Sequence, residues 1–128
     1  MAFLPGADMA DDFRFDDLRP QEKAFKYLGR SFMAREPSAG AWAEHENALV
    51  RCYKAGDDGR LQRFEGLSHL APLLVGLCVF EIKDGKESDS PIGDEARKWQ
   101  AKVVSPLYDW LKIAAGDRAE VADVPPKA

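Results

Sequence analysis

The amino-acid sequence predicts an all-α protein, a single-domain bundle of four to five helices with an irregular N-terminal arm and a short C-terminal tail. The 128 residues are the size of one domain. Apolar residues recur at helical spacing in several segments, and clusters rich in Gly, Pro and Asp separate these segments. We therefore expect residues 1–18 to form the arm, 19–116 the bundle and 117–128 a flexible tail.

Composition and charge are those of a globular protein. Hydrophobic residues make up 45% and charged residues 31%, and the net charge is −4. Proteins that bind nucleic acid through charge are usually basic, so nucleic acid is expected only through a local basic face or within a complex. The longest apolar run, 70–80, is about half the length of a membrane helix. The apolar start, 1–4, is too short for a secretion signal. These features predict a cytoplasmic protein with no membrane contact.

The first two helices are predicted from apolar stripes. The first covers 19–35 and ends before Pro37, while the second covers 41–54 and is followed by a Gly-Asp-Asp-Gly turn. The stripe of the first helix consists of Ala24, Phe25, Leu28 and Phe32. The stripe of the second consists of Trp42, His45, Leu49, Cys52 and Tyr53.

The second half of the bundle is predicted from two longer patterns. A third helical region covers 60–83 and is kinked or split by Pro72. Its segment 72–82 is apolar all round, and the β-rich composition of 74–82 leaves a buried strand as the alternative there. A fourth helix continues in phase through a kink at Pro106 and ends at Gly116. Its core-facing stripe consists of Ile92, Ala96, Trp99, Val103, Leu107, Trp110 and Ala114.

A basic stripe lies on the first predicted helix, opposite its apolar residues. Arg19, Lys23, Lys26 and Arg30 follow one another at offsets of four, three and four, which places all four on one side of a helix. We predict that this stripe binds an acidic protein surface or a phosphate backbone. The alternative is a solvated helix face that the aspartates of the arm balance.

The sequence contains no motif for metal or nucleotide chemistry. A zinc site needs four closely spaced ligands, but Cys52 lies seven residues after His45. Cys78 lies nine residues after His69. His45 begins a sequence similar to H-E-x-x-H, yet Leu49 occupies the place of the second histidine. There is also no glycine-rich phosphate loop. We expect no metal, no cofactor and no small-molecule ligand, and two free buried thiols.

The segment from Arg63 to His69 resembles the R-x(4–6)-H motif of HEPN-type ribonucleases, which are helical bundles. The resemblance covers seven residues and departs from the family at Phe64, where a polar residue is usual. It implies a dimeric enzyme in which Arg63 and His69 meet in a groove and cleave RNA without a metal. The alternative is that Arg63 lies on a helix surface and His69 near the break at Pro72.

These features favour a non-enzymatic protein–protein interaction module, either a small subunit of a larger assembly or a regulator or inhibitor that occupies a partner's surface. No set of titratable residues points to acid–base or nucleophilic catalysis. Two alternatives stay open: the ribonuclease that uses Arg63 and His69, and a nucleic-acid-binding accessory subunit that uses the basic stripe. Tyr108 lies off the apolar stripe of the fourth helix and is expected to be the most exposed aromatic residue.

Overall fold

The computed structural model describes residue 15 and residues 18–116, which form a mixed α/β fold rather than the predicted all-α bundle. The strands are β1 (Glu22–Tyr27), β2 (Arg30–Arg35), β3 (Tyr53–Ala55), β4 (Leu61–Phe64), β5 (Val79–Lys83) and β6 (Lys86–Glu87). The helices are α1 (Ala39–Arg51), α2 (Leu70–Cys78) and α3 (Ala101–Ala114), with 3-10 helices at Leu67–His69 and Gly93–Lys98. One antiparallel sheet has the order β1-β2-β5-β6, and β3 pairs with β4 in a separate sheet. Most of the predicted arm and the whole predicted tail lie outside the described residues.

A β-hairpin replaces the first predicted helix. Tyr27 pairs with Arg30, and the two residues between them, Leu28 and Gly29, have φ angles of 58° and 71°. Two consecutive positive φ angles are typical of the type I′ turn, whose twist matches that of two antiparallel strands. Phe32 on β2 is fully buried, and its neighbours in sequence are only partly buried. Because burial alternates with a period of two, the predicted helix is wrong.

The second predicted helix is confirmed, with bounds that differ by a few residues. The Oγ of Ser38 accepts a hydrogen bond from the backbone N–H of Ala41 at 3.1 Å and so caps the start of α1. The helix ends at Arg51. Tyr53, which the sequence places on its apolar stripe, begins β3 instead. The predicted Gly-Asp-Asp-Gly turn then joins β3 to β4.

The third predicted helix divides into β4, a 3-10 helix, α2 and β5. Because α2 begins at Leu70, Pro72 lies in its first turn, where a proline leaves no hydrogen bond unmade. Val79 begins β5 directly after α2 and pairs with Ala34 of β2. The helix prediction therefore holds for 70–78, and the alternative of a buried strand, given for 74–82, holds only from Val79 onward.

The stripe of the fourth predicted helix faces the core, but the helix is interrupted at Trp99. The backbone of Trp99 is extended, with ψ at 157°, and separates the 3-10 helix from α3. Pro106 lies inside α3, and the break in the predicted helix is seven residues earlier, at Trp99. Gly116 has φ at 90° and follows the end of α3, as predicted. Ala96, Trp99, Leu107 and Ala114 are buried, and Ile92, Val103 and Trp110 are partly buried.

The core lies between one face of the four-stranded sheet and the helices α2 and α3. Trp99 is 7% exposed and packs edge-on against the rings of Phe25, Tyr27 and Phe32, with centroids 5.0 to 6.2 Å apart. The largest fully buried side chains are Phe32, Leu74, Val75, Val79 and Leu111. Among the described residues, none of the helices has the length and apolarity that a bilayer span requires.

Candidate functional site

The four residues of the predicted basic stripe do not share one face, because the segment that carries them is a hairpin. Lys23 and Lys26 lie on β1 and point to opposite sides of the sheet, since side chains alternate along a strand. Arg19 precedes that strand, and Arg30 lies on β2. The prediction that these four residues share one face of a helix is therefore wrong. A role of these cations in partner binding stays a prediction.

Arg30 is held by two carboxylates. Its guanidinium donates hydrogen bonds to Glu81 at 2.9 and 3.0 Å and to Glu95 at 2.5 and 3.1 Å. These bonds raise the pKa of Arg30 and lower the pKa values of Glu81 and Glu95. The Glu95 carboxylate also accepts a hydrogen bond from the Trp99 indole at 3.1 Å. Arg30 thus links β2 to β5 and to the second 3-10 helix, and its charge is neutralised within the fold.

His45 packs between α1 and α3, as a core histidine would. It is 4% exposed, its Nε2 lies 2.7 Å from the Tyr108 hydroxyl, and its ring centroid lies 4.7 Å from that of Trp42. Tyr108 is half-buried, and the Lys112 ammonium lies 4.5 Å from the centroid of its ring. The expectation that Tyr108 is the most exposed aromatic residue is therefore wrong. In the described part of the chain, no group of three or more His, Cys, Asp or Glu residues could hold a metal ion.

Arg63 and His69 lie on different elements. Arg63 belongs to β4, and its Nε donates a hydrogen bond to Glu65 at 2.5 Å. His69 ends the first 3-10 helix and lines a cleft beside Cys52, which Arg63 does not line. The described residues also lack the helical bundle that the resemblance to HEPN-type ribonucleases implies. The ribonuclease hypothesis gains no support from this arrangement.

The β3–β4 hairpin is exposed along its whole length. Every residue of both strands is exposed. The cross-strand pairs are Tyr53 with Phe64, Lys54 with Arg63 and Ala55 with Leu61. Because side chains alternate between the two faces of a strand, the pair of Tyr53 and Phe64 lies on one face and the pair of Lys54 and Arg63 on the other. The register shifts between Lys54 and Ala55, so this alternation does not extend to the third pair.

More exposed apolar residues lie in the segments on either side of the hairpin. Leu49 and Val50 lie at the end of α1, just before β3, and Leu67 follows β4 by three residues. We use the name hairpin patch for six exposed apolar residues, Leu49, Val50, Tyr53, Leu61, Phe64 and Leu67. Their exposed fractions lie between 37% and 68%. Grouped apolar residues that remain in water mark sites of interaction.

The sequence patterns did not reveal the hairpin patch, because Tyr53 and Leu61 also fit the stripes of two helices. A signal was nevertheless available. The Gly-Asp-Asp-Gly turn lies between two short runs that contain aromatic residues, which is a pattern typical of a hairpin with a short, glycine-containing loop.

Comparison with known proteins identifies no relative, since no protein-family model, no curated protein and no solved structure matches this chain. The interpretation of the hairpin patch therefore depends on its own geometry and exposure.

Proposed function

We propose that this chain is a protein–protein interaction module that binds its partner through the hairpin patch. It acts as a small subunit of a larger assembly or as a regulator that occupies a partner's surface, and its role is binding rather than catalysis. The observation that carries this proposal is the cross-strand pair of Tyr53 and Phe64. These two aromatic side chains share a face of the hairpin and are 40% and 45% exposed.

The exposure of this pair costs free energy that a partner can recover. A two-stranded hairpin is marginally stable in water unless a further strand or an apolar surface covers one of its faces. Aromatic residues dominate the centres of protein interfaces, because each ring buries a large area at a small cost in side-chain entropy. A partner that covers Tyr53 and Phe64 gains this burial and stabilises the hairpin. Lys54 and Arg63, on the opposite face, remain in water.

We propose a cytoplasmic location for this binding role. Cys52 and Cys78 are both free and both buried. Buried unpaired thiols are typical of proteins that fold in a reducing compartment.

The test is a double substitution in the hairpin patch, Tyr53→Ser with Phe64→Ser, in the full-length chain. Both side chains lie outside the core, so we expect the double variant to remain folded, although it also loses the hydrogen bond that the Tyr53 hydroxyl donates to the Gly59 carbonyl at 3.2 Å. Circular dichroism and the melting temperature check the fold. Truncation of an aromatic hot-spot residue costs at least about 2 kcal/mol of binding free energy. We therefore expect the double variant to lose the proteins that the tagged wild-type chain retains from its native host.

A matched control is Ile113→Ser, since Ile113 is 52% exposed but lies on α3, outside the hairpin patch. This variant is expected to retain the same proteins as the wild type. If the double variant and the control retain the same proteins in the same amounts, the hairpin patch is not the binding surface.

A further inference from the structure

Among the described residues, no strand pairs with the outer edge of β1. Tyr27 and Arg30 flank the two-residue turn and are hydrogen-bonded to each other through their backbones. The backbone N–H and C=O groups therefore point toward β2 at Tyr27 and at every second residue before it, which are Phe25 and Lys23. The hydrogen bond from the Glu36 N–H to the Gln21 carbonyl, at 2.8 Å, continues this alternation. The strand residues whose backbone groups point away from the sheet are Glu22, Ala24 and Lys26. All three are exposed, and such an edge is a template for another strand.

We propose that two copies of the chain pair along this edge in antiparallel register, with Ala24 of one copy opposite Ala24 of the other. The two-fold axis then passes between the alanines and places Glu22 opposite Lys26 of the second copy, twice. On the face that packs against the helices, the methylene stem of Lys23 covers Phe25 of the second copy. The two four-stranded sheets become one continuous sheet across the dimer.

Charge selects this register from the alternatives. In an antiparallel pair, directly opposite residues of equal charge repel and those of opposite charge attract. Registers centred on Glu22, Lys23 or Lys26 place like charges opposite each other, and a register centred on Phe25 forms no ion pair. Only the register centred on Ala24 forms two ion pairs, and it also places the smallest side chain of the strand at the axis.

The charged side chains at this edge are available for the pairing. Glu22 accepts a hydrogen bond from Arg35 at 3.1 Å, but its side chain is still 50% exposed. Arg35 also binds Glu87, so its charge does not depend on Glu22 alone. Lys26 is exposed, and within the described residues its ammonium has no carboxylate partner. A single lysine on an edge strand is often explained by protection against aggregation alone. Here Glu22 lies at the position that is opposite Lys26 in the proposed dimer.

This edge is separate from the hairpin patch, so the dimer does not depend on the proposed function. The double variant of the hairpin patch, Tyr53→Ser with Phe64→Ser, is expected to dimerise like the wild type. Loss of the dimer in that variant would place the interface on the hairpin and overturn this inference.

The test is sedimentation velocity on the full chain over a range of concentrations. The wild type is expected to show a reversible equilibrium between the chain and a species of twice its mass. Lys26→Glu and Glu22→Lys each turn two attractive pairs into two repulsive ones, so each is expected to weaken dimerisation by at least about tenfold. An equimolar mixture of these two variants is expected to restore the dimer, because every pair across the interface is then of opposite charge.

A backbone variant tests the strand pairing itself. Ala24→Pro removes an N–H that points away from the sheet, and an edge strand tolerates proline at such a position. We expect this variant to melt like the monomeric charge variants and to remain monomeric. The inference is overturned if the wild type is monomeric at its highest soluble concentration, or if Ala24→Pro dimerises as the wild type does. The inference is also overturned if the mixture of Lys26→Glu and Glu22→Lys does not dimerise. That test remains valid even if Ala24→Pro does not fold.

Discussion

Arg30 and Glu81, on the neighbouring strands β2 and β5, are joined by two hydrogen bonds of 2.9 and 3.0 Å. The side chain of Glu81 is only 16% exposed, so this ion pair is shielded from water on most of its surface. Glu95 completes the group from the second 3-10 helix, at 2.5 Å from the Arg30 guanidinium. A cation that the sequence assigned to a partner-binding face therefore links three elements of the fold.

This ion-pair group makes stability depend on pH in the acid range. Arg30 lowers the pKa values of Glu81 and Glu95, mainly through hydrogen bonds to their carboxylates. A glutamate whose pKa is lowered by folding stabilises the protein above its unfolded pKa of about 4.3, and this contribution is lost as the pH falls through the folded pKa. We expect the melting temperature to fall between about pH 5 and about pH 3. The Arg30→Met variant is expected to melt lower at neutral pH and to show a smaller fall. An equal fall in both proteins would assign the acid sensitivity to other groups.

Gly76 of α2 lies against the backbone of Gly93, and a Cβ at Gly76 would be 2.3 Å from the Gly93 carbonyl oxygen. Because that atom belongs to the backbone, Gly76→Ala forces α2 and the second 3-10 helix apart. Overpacking of a core costs about 1–3 kcal/mol or more. The control is Gly40→Ala in α1, where the nearest heavy atom is 4.0 Å away. That change is expected to stabilise the protein by about 0.4–1 kcal/mol. Chemical denaturation of both variants checks the opposite signs, and a stable Gly76→Ala protein would contradict this packing.

Trp99 is the centre of the aromatic core, and its replacement tests the packing of the second 3-10 helix and α3 on the sheet. Trp99→Ala is expected to lower the free energy of unfolding by about 3–5 kcal/mol, through lost burial and the cavity that remains. Lys98→Ala is the control, since Lys98 is the exposed neighbour of Trp99. Its effect is expected to stay below about 0.5 kcal/mol. Similar effects in urea titrations of the two variants would show that Trp99 is not a core residue.

The Cys78 thiol is expected to be chemically inert in the folded protein. Burial raises its pKa to about 12, so almost none of it is thiolate at neutral pH. We expect iodoacetamide to modify Cys78 only as fast as the chain unfolds, with denaturant restoring full reactivity. Mass spectrometry after timed quenching measures this rate. Modification of the native protein at the rate of an unfolded cysteine would mean that α2 is not buried.

The β1–β2 hairpin shows why local patterns predicted the wrong element. Phe25 and Phe32 are seven residues apart, which is two turns of a helix, yet they are also cross-strand partners with ring centroids 5.3 Å apart. The turn between the strands has Leu28 at a positive φ, where asparagine or aspartate is usual. Without that signal, apolar spacing alone could not separate the two structures. The predicted alignment of the basic stripe depended on the same helix, so this alignment is wrong as well.

The apolar run from Leu70 shows a second limit of single-sequence prediction. A buried helix and a buried strand both produce unbroken apolar sequence. The change from α2 to β5 at Val79 is set by pairing with β2, a contact that sequence spacing cannot show. By contrast, every residue of the predicted stripe around Trp99 is buried or partly buried, although Val104 and Leu111, which are buried too, lie outside that stripe.

The most direct test of the interaction role is photo-crosslinking in the native host from single positions of the full chain. p-Benzoylphenylalanine in place of Phe64 reports on the hairpin patch, and the same residue in place of Ile113 reports on a surface of comparable exposure on α3. The proposed function predicts that Phe64→p-benzoylphenylalanine yields one discrete adduct with a partner protein and that the Ile113 variant does not. The same adducts from both positions, or none from the hairpin position while the protein remains folded, would contradict it.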